Sequence, residues 1–77
     1  MPAPVSALPL NEGDKGQLQQ WADAFGTPQQ VVLRCRILLA AASGKSDNAI
    51  AQELGTNRKT AILWRARFAQ QGLNSLW

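Results

Sequence analysis

The sequence has no histidine and only one cysteine. A zinc site of the usual Cys/His composition is therefore excluded, and no disulfide can close within these 77 residues. Histidine-based acid–base catalysis and the Ser-His-Asp arrangement are excluded with it. Long hydrophobic runs are also missing. The longest unbroken apolar stretch, Ile37 to Ala42, falls far short of the roughly 20 residues a membrane span needs. The start, Met1-Pro2-Ala3-Pro4, lacks a basic segment leading into an apolar one, so no signal peptide is expected. A chain of this length buries only about 60% of its unfolded surface, too little to build an ordinary catalytic cleft. With 45% hydrophobic and 17% charged residues it reads as globular rather than disordered. The composition predicts a cytoplasmic binding module, with no enzymatic activity, cofactor, metal or membrane partner.

Acidic residues are absent after Glu53. The net charge of +3 is unevenly spread. Residues 1–30 set Lys15 against Glu12, Asp14 and Asp23, for a net of −2. Residues 31–77 set seven basic residues against Asp47 and Glu53, for a net of +5. A half this basic favours a polyanionic partner.

Punctuation along the chain predicts an all-α domain of about four helices over residues 10–77, behind a flexible Pro-rich arm over residues 1–9. Asn11 caps a first helix near 12–25, with Asp14 in the capping-box position. Its apolar face holds Leu18, Trp21, Ala22 and Phe25, and Gly26 ends it. Thr27 as cap and Pro28 at the first helical position start a second helix near 28–43. Val31, Cys35, Leu38, Leu39 and Ala42 form one stripe on it. Val32, Leu33, Ile37 and Ala41 extend the apolar surface round much of the circumference, which predicts a central helix packed on more than one side. Ser46 caps a third helix near 47–54, with Ala49 or Ile50, then Ala51 and Leu54, facing inward. Asn57 caps a fourth near 57–71, stopped by Gly72, with Ala61, Trp64 and Phe68 inside.

The stretch from Ala49 to Trp64 reads as a helix-turn-helix. Ala51 is small where two helices cross closely, and Gly55 sits in a tight turn expected to need a positive φ. Ile50, Leu54, Ala61 and Trp64 fill the angle between the helices, so the second helix offers its N-terminal end to a DNA major groove. On a helical wheel Lys59, Ile62, Leu63 and Ala66 lie opposite the core, flanked by Arg58 and Arg67. Cations there reach phosphates or guanine edges, and aliphatic groups reach thymine methyls. The candidate DNA-binding residues are Lys45, Ser46, Asn57, Arg58, Lys59, Thr60, Ile62, Leu63 and Arg67, and the partner is double-stranded DNA.

A wider pattern surrounds this unit. It comprises Arg34-Cys35-Arg36-Ile37-Leu38-Leu39-Ala40-Ala41, Gly44-Lys45-Ser46, Ile50-Ala51-Gln52-Glu53-Leu54-Gly55, Arg58-Lys59-Thr60, Trp64-Arg65-Ala66-Arg67-Phe68 and Gly72-Leu73-Asn74-Ser75-Leu76. Together these segments resemble the N-terminal DNA-binding region of mariner-like bacterial insertion-sequence transposases, over roughly residues 10–77. The resemblance implies a homeodomain-like helix-turn-helix fold that recognises terminal inverted repeats. In such transposases a separate domain with three metal-binding acidic residues performs strand transfer, and these 77 residues hold no counterpart of it. Cys35 stands where the family usually has alanine. Ile62 and Leu63 stand where it usually has polar or basic residues. The alternative reading is therefore a helical protein–protein or homodimerisation module using the Ile62/Leu63 face, with Trp77 completing an exposed apolar patch.

Several residues carry a second, plainer expectation. Trp21, Phe25, Trp64 and Phe68 have helical spacing and are expected in the core rather than as base-stacking platforms. Cys35 is expected to be an inert core thiol. Arg34 and Arg36 are expected to pair within the molecule, and Arg65 to lie along the core edge. Arg58 and Lys59 place two cations at the positive end of a helix dipole, which is locally unfavourable and points to a functional reason.

Overall fold

The computed structural model describes residues 10–77. The arm read over residues 1–9 lies outside the described residues. Four α-helices follow in order, α1 (Glu12–Asp23), α2 (Gln29–Ala42), α3 (Asp47–Leu54) and α4 (Arg58–Gln71), and a 3-10 turn over Gly72–Leu76 closes the chain. Among the described residues there is no strand. The all-α, helix-turn-helix expectation is met.

Three of the four helix starts are set by side chains named from the sequence. Asn11 Oδ1 accepts the Asp14 N–H at 2.7 Å, Ser46 Oγ accepts the Ala49 N–H at 3.2 Å, and Asn57 Oδ1 accepts the Thr60 N–H at 2.8 Å. Each bond satisfies a backbone donor that has no partner within its own helix. The α2 start differs from expectation. Pro28 itself is the cap residue and no side chain bonds the first turn, so Thr27 does not cap.

The end of α1 is a second correction. The helix stops at Asp23, and Ala24 is already extended at φ −72° and ψ 134°. The chain then turns through Gly26 to reach Pro28. Phe25, read as a core residue by extending the apolar period, is thereby thrown clear of the core and is fully exposed.

Helix α2 is the central element, with a separate apolar cluster on each side. On the α1 side Leu18, Ala22, Val31, Cys35, Leu38, Phe68 and Leu76 are buried together. Toward α3 and α4 the buried set is Ile37, Ala41, Ile50 and Ala61. Ile50, rather than Ala49, faces inward from α3, together with buried Ala51 and partly buried Leu54. Trp64 packs against both clusters and is half-buried between them.

The last segment, Gly72–Leu76, is more than a helix stop. Gly72 has φ 69° and ψ −153°, a backbone conformation open essentially to glycine alone. It turns the chain so that Leu76 is fully buried against the α1-side cluster. Trp77 then meets Trp21 edge to face, with ring centroids 5.5 Å apart at 84°. Trp77 is 59% exposed despite this contact.

Candidate nucleic-acid interface

The site rests on the angle between α3 and α4. Gly55, at φ 68° and ψ 29°, is the left-handed residue of the turn, as the sequence predicts. Nothing stands within 4 Å of where its Cβ would be, so the requirement is backbone conformation rather than space. The Thr56 N–H donates to the Ala51 carbonyl at 2.9 Å, completing the helix stop. Between the helices, Ala61 is fully buried against Ile37, Ala41 and Ile50. Small side chains at 41 and 61 let the helices approach closely.

An ion pair braces the same angle. Arg65 on α4 donates from Nη1 to Asp47 Oδ1 at 2.7 Å, and both side chains are largely shielded from water. Asp47 occupies the first turn of α3, where a carboxylate also suits the helix dipole. Arg65, read as lying along the core edge, therefore has a defined partner. Arg34 is held by a different kind of bond. Its Nη1 donates to the Leu76 carbonyl at 2.8 Å, and its guanidinium lies 4.1 Å from the centre of the Trp64 ring. This ties α2 to α4 and to the terminal turn. Arg36 does not pair as expected. It is exposed, has no carboxylate partner among the described residues, and lines a cleft of about 320 Å³ with Gln29, Val32, Leu33, Glu53 and Leu54.

The nine candidate DNA contacts fall into two groups. Lys45, Ser46, Asn57 and Thr60 have internal partners. Lys45 Nζ pairs with Glu53 Oε2 across the length of α3. Ser46 and Asn57 are caps, and the Thr60 hydroxyl donates to Asn57 Oδ1 at 3.0 Å. The other five, Arg58, Lys59, Ile62, Leu63 and Arg67, are exposed along α4. Arg58, Lys59 and Arg67 have no carboxylate partner among the described residues. Arg67 lies 5.2 Å from the centre of the Trp64 ring, one helical turn away, which steers its guanidinium along the helix flank. Ile62 and Leu63 are 42% and 44% exposed. The outward face of α4 continues to Gln70, which is exposed and lies opposite Ala61 on the same wheel, a position not singled out from the sequence although the wheel contained it.

The first turn of α4 holds no acidic residue. By contrast, α1 carries Glu12 and Asp14 there and α3 carries Asp47. The positive end of the α4 dipole is thus reinforced by Arg58 and Lys59 where the other capped helices neutralise theirs. This is an arrangement suited to an anion, and phosphate oxygens are the oxyanions of a duplex.

Among the described residues no group of three or more histidine, cysteine or carboxylate side chains lies close enough to hold a metal ion. Cys35 is fully buried, and burial pushes its thiol up to about 11, partly offset by a backbone hydrogen bond. At neutral pH it is a protonated core group with no thiolate to offer. No helix among the described residues is long and apolar enough to cross a membrane.

Four short helices, a left-handed glycine between the third and fourth, and a fourth helix with a free outward face define a helix-turn-helix domain. A family model for a homeodomain-like domain matches residues 28–77, which span α2, α3, α4 and the terminal turn. The chain belongs to that family, and the membership points to DNA as the partner. No curated protein and no solved structure gives a significant match to the chain.

Proposed function

We propose that this domain binds double-stranded DNA sequence-specifically, with α4 entering the major groove N-terminus first. The observation that carries the reading is the start of α4. Two cations without carboxylate partners among the described residues sit on the positive end of a helix whose outward face is open and whose angle is braced by Arg65 and Asp47. Arg58 and Arg67, on the flanks, contact phosphates. Lys59, on the outward face, reaches into the groove. Asn57 adds a contact through its Nδ2 group, since its Oδ1 is committed to the cap. Lys45 and Ser46 approach the backbone from the start of α3. The target class is a terminal inverted repeat of a mobile element, following the resemblance of residues 10–77 to transposase DNA-binding regions.

Selection of bound duplexes from a random pool, followed by titration at several salt concentrations, tests this. Phosphate contacts from Arg58, Arg67 and one further cation give a slope of log K against log salt of about −3, near −0.9 per contact. An enriched motif with that slope is expected. A slope near zero with no enriched motif would overturn the reading. If the mass in solution also doubled through the Ile62/Leu63 face, the protein–protein alternative would take its place.

A further inference from the structure

The outward face of α4 has an unusual chemical bias. Over its first two turns it presents Lys59, Ile62, Leu63 and Ala66, all exposed. Three of these four are aliphatic, and the fourth is a donor with no acceptor atom. The polar groups nearby that accept hydrogen bonds are turned back into the helix start. Asn57 Oδ1 receives both the N–H and the hydroxyl of Thr60, and Thr60 lies on the shielded side of the helix.

We infer that the leading half of α4 reads its DNA site through the 5-methyl groups of thymine and the acceptor edge of guanine, and is blind to the exocyclic amino groups of adenine and cytosine. The inference rests on the DNA-binding reading proposed above and names the base chemistry of that same site. In the major groove adenine and cytosine each expose an amino donor, which a protein recognises with a carboxylate, amide or hydroxyl oxygen. The leading half of this face has none. Guanine exposes two acceptors, N7 and O6, which suit the Lys59 ammonium. Thymine exposes a methyl group, which suits the branched side chains of Ile62 and Leu63. Ile62 and Leu63 together bring two branched side chains, each more than two-fifths exposed, to a groove surface whose only apolar group is that methyl. Burying them against it removes apolar area from water on both partners.

The test uses the full chain and the duplex it selects from a random pool. Three forms of that duplex are titrated: unmodified, with deoxyuridine for every thymine, and with purine deoxyriboside, which lacks the amino group, for adenines in the selected motif. Deoxyuridine is expected to weaken binding about fourfold for each methyl in contact. At the base pairs where deoxyuridine weakens binding, the purine substitution is expected to leave affinity unchanged once duplex stability is matched. The chain with Ile62→Ala and Leu63→Ala is expected to bind thymine and uracil duplexes alike, with an unaltered melting temperature. Equal affinity of the original chain for thymine and uracil duplexes would overturn the inference while leaving DNA binding intact. So would a uracil effect that persists in the double variant, which would place the methyl contact elsewhere. Failure to select any duplex would instead overturn the DNA-binding reading, and the inference with it.

Discussion

The two sides of α2 follow different packing rules. Toward α1 five of the seven buried side chains are large, Leu18, Val31, Leu38, Phe68 and Leu76, beside Ala22 and Cys35, and partly buried Leu10, Trp21, Leu39 and Leu73 widen the cluster. Toward α3 and α4 the buried set is smaller, two isoleucines and two alanines, with Leu33, Ala40 and Leu54 partly buried against it. Large buried side chains contribute stability roughly in proportion to the apolar area they remove from water. Alanines contribute little area and permit close helix approach. The α1 side therefore supplies stability, and the α3–α4 side sets the angle at which α4 is presented. The family match begins at residue 28, so it leaves α1 itself outside while taking in the α2, α4 and terminal members of the α1-side cluster. Charge also sets α1 apart, since all the acidic residues of the first thirty positions lie in it.

Trp64 is the residue that belongs to both sides, so its truncation should do most to erase the difference. Trp64→Ala removes apolar packing from both clusters and the ring on which Arg34 and Arg67 rest. Large aromatic truncations cost about 3–5 kcal/mol when buried. The ring is only partly buried, which puts this one near the lower figure. For a domain of this size that lowers the melting temperature by at least about 12 °C. A thermal melt followed by circular dichroism checks it, and an unchanged midpoint would show that the two clusters do not depend on the shared tryptophan.

The next pair of variants separates the sides. Leu18→Ala should cost roughly 2–5 kcal/mol while leaving the DNA motif selected by the folded protein unchanged. Ala61→Leu should cost less, roughly 1–3 kcal/mol, because it overpacks rather than empties. It also pushes α4 away from α3, so its effect on DNA affinity should exceed that of Leu18→Ala despite the smaller drop in stability. Chemical denaturation and DNA titration of both variants decide this. The opposite ranking in DNA affinity would remove the assigned division of roles.

Cys35 offers a graded probe of the α1 side. Its ordinary value is 9.0 and burial pushes the folded thiol up to about 11. Between those values the unfolded chain has released the thiol proton while the folded chain keeps it. Stability should therefore be intact below pH 9 and fall as pH rises toward 11, by about 1.4 kcal/mol per pH unit. Cys35→Ala should lack this component, so the difference between the two proteins' pH profiles isolates it. Parallel profiles from pH 8 to 11 would mean that water reaches the thiol.

Which features were legible in the sequence follows from whether they are local. Asn11, Ser46 and Asn57 cap through bonds three residues long, and Gly55 acts through its own φ. Such signals survive without knowledge of the fold, and with them came the helix-turn-helix and the exposed faces of Ile62 and Leu63. Phe25 was misread because its apolar spacing continues that of Trp21, while the connection to Pro28 has already ended the helix. The spacing of Leu73 and Leu76 was the available signal for the terminal turn, but Gly72 reads first as a stop. Least legible was which cations are free. Lys45 finds Glu53 eight residues on, Arg65 finds Asp47 eighteen residues back, and Arg34 finds a carbonyl forty-two residues away. No periodicity announces those partnerships, yet they decide which of the basic residues remain uncommitted.

The smallest expected change in stability comes from the residues with the largest proposed role in binding. Arg58 and Lys59 are exposed in the first turn of α4 and have no carboxylate partner among the described residues. Surface substitutions away from special features usually shift stability by no more than about 0.5 kcal/mol. Here the sign is also fixed. A cation near a helix N-terminus opposes the dipole, an effect of about 0.3–1 kcal/mol at low salt. Arg58→Ala with Lys59→Ala should therefore raise the melting temperature slightly, and more at low salt than at high. The same double variant should bind DNA more weakly, with its salt slope reduced by about 0.9 for each phosphate no longer neutralised. Arg58 is assigned to phosphate, so at least one such step is expected. Lys59, if it meets a guanine edge instead, should show a weaker preference at one base pair rather than a second step in slope. A residue kept for the fold would behave the other way, reducing stability on truncation and leaving the salt slope alone. Melting and binding measured on the same variant at two salt concentrations separate these outcomes. A lower melting temperature with an unchanged slope would move both cations from the DNA interface to the scaffold.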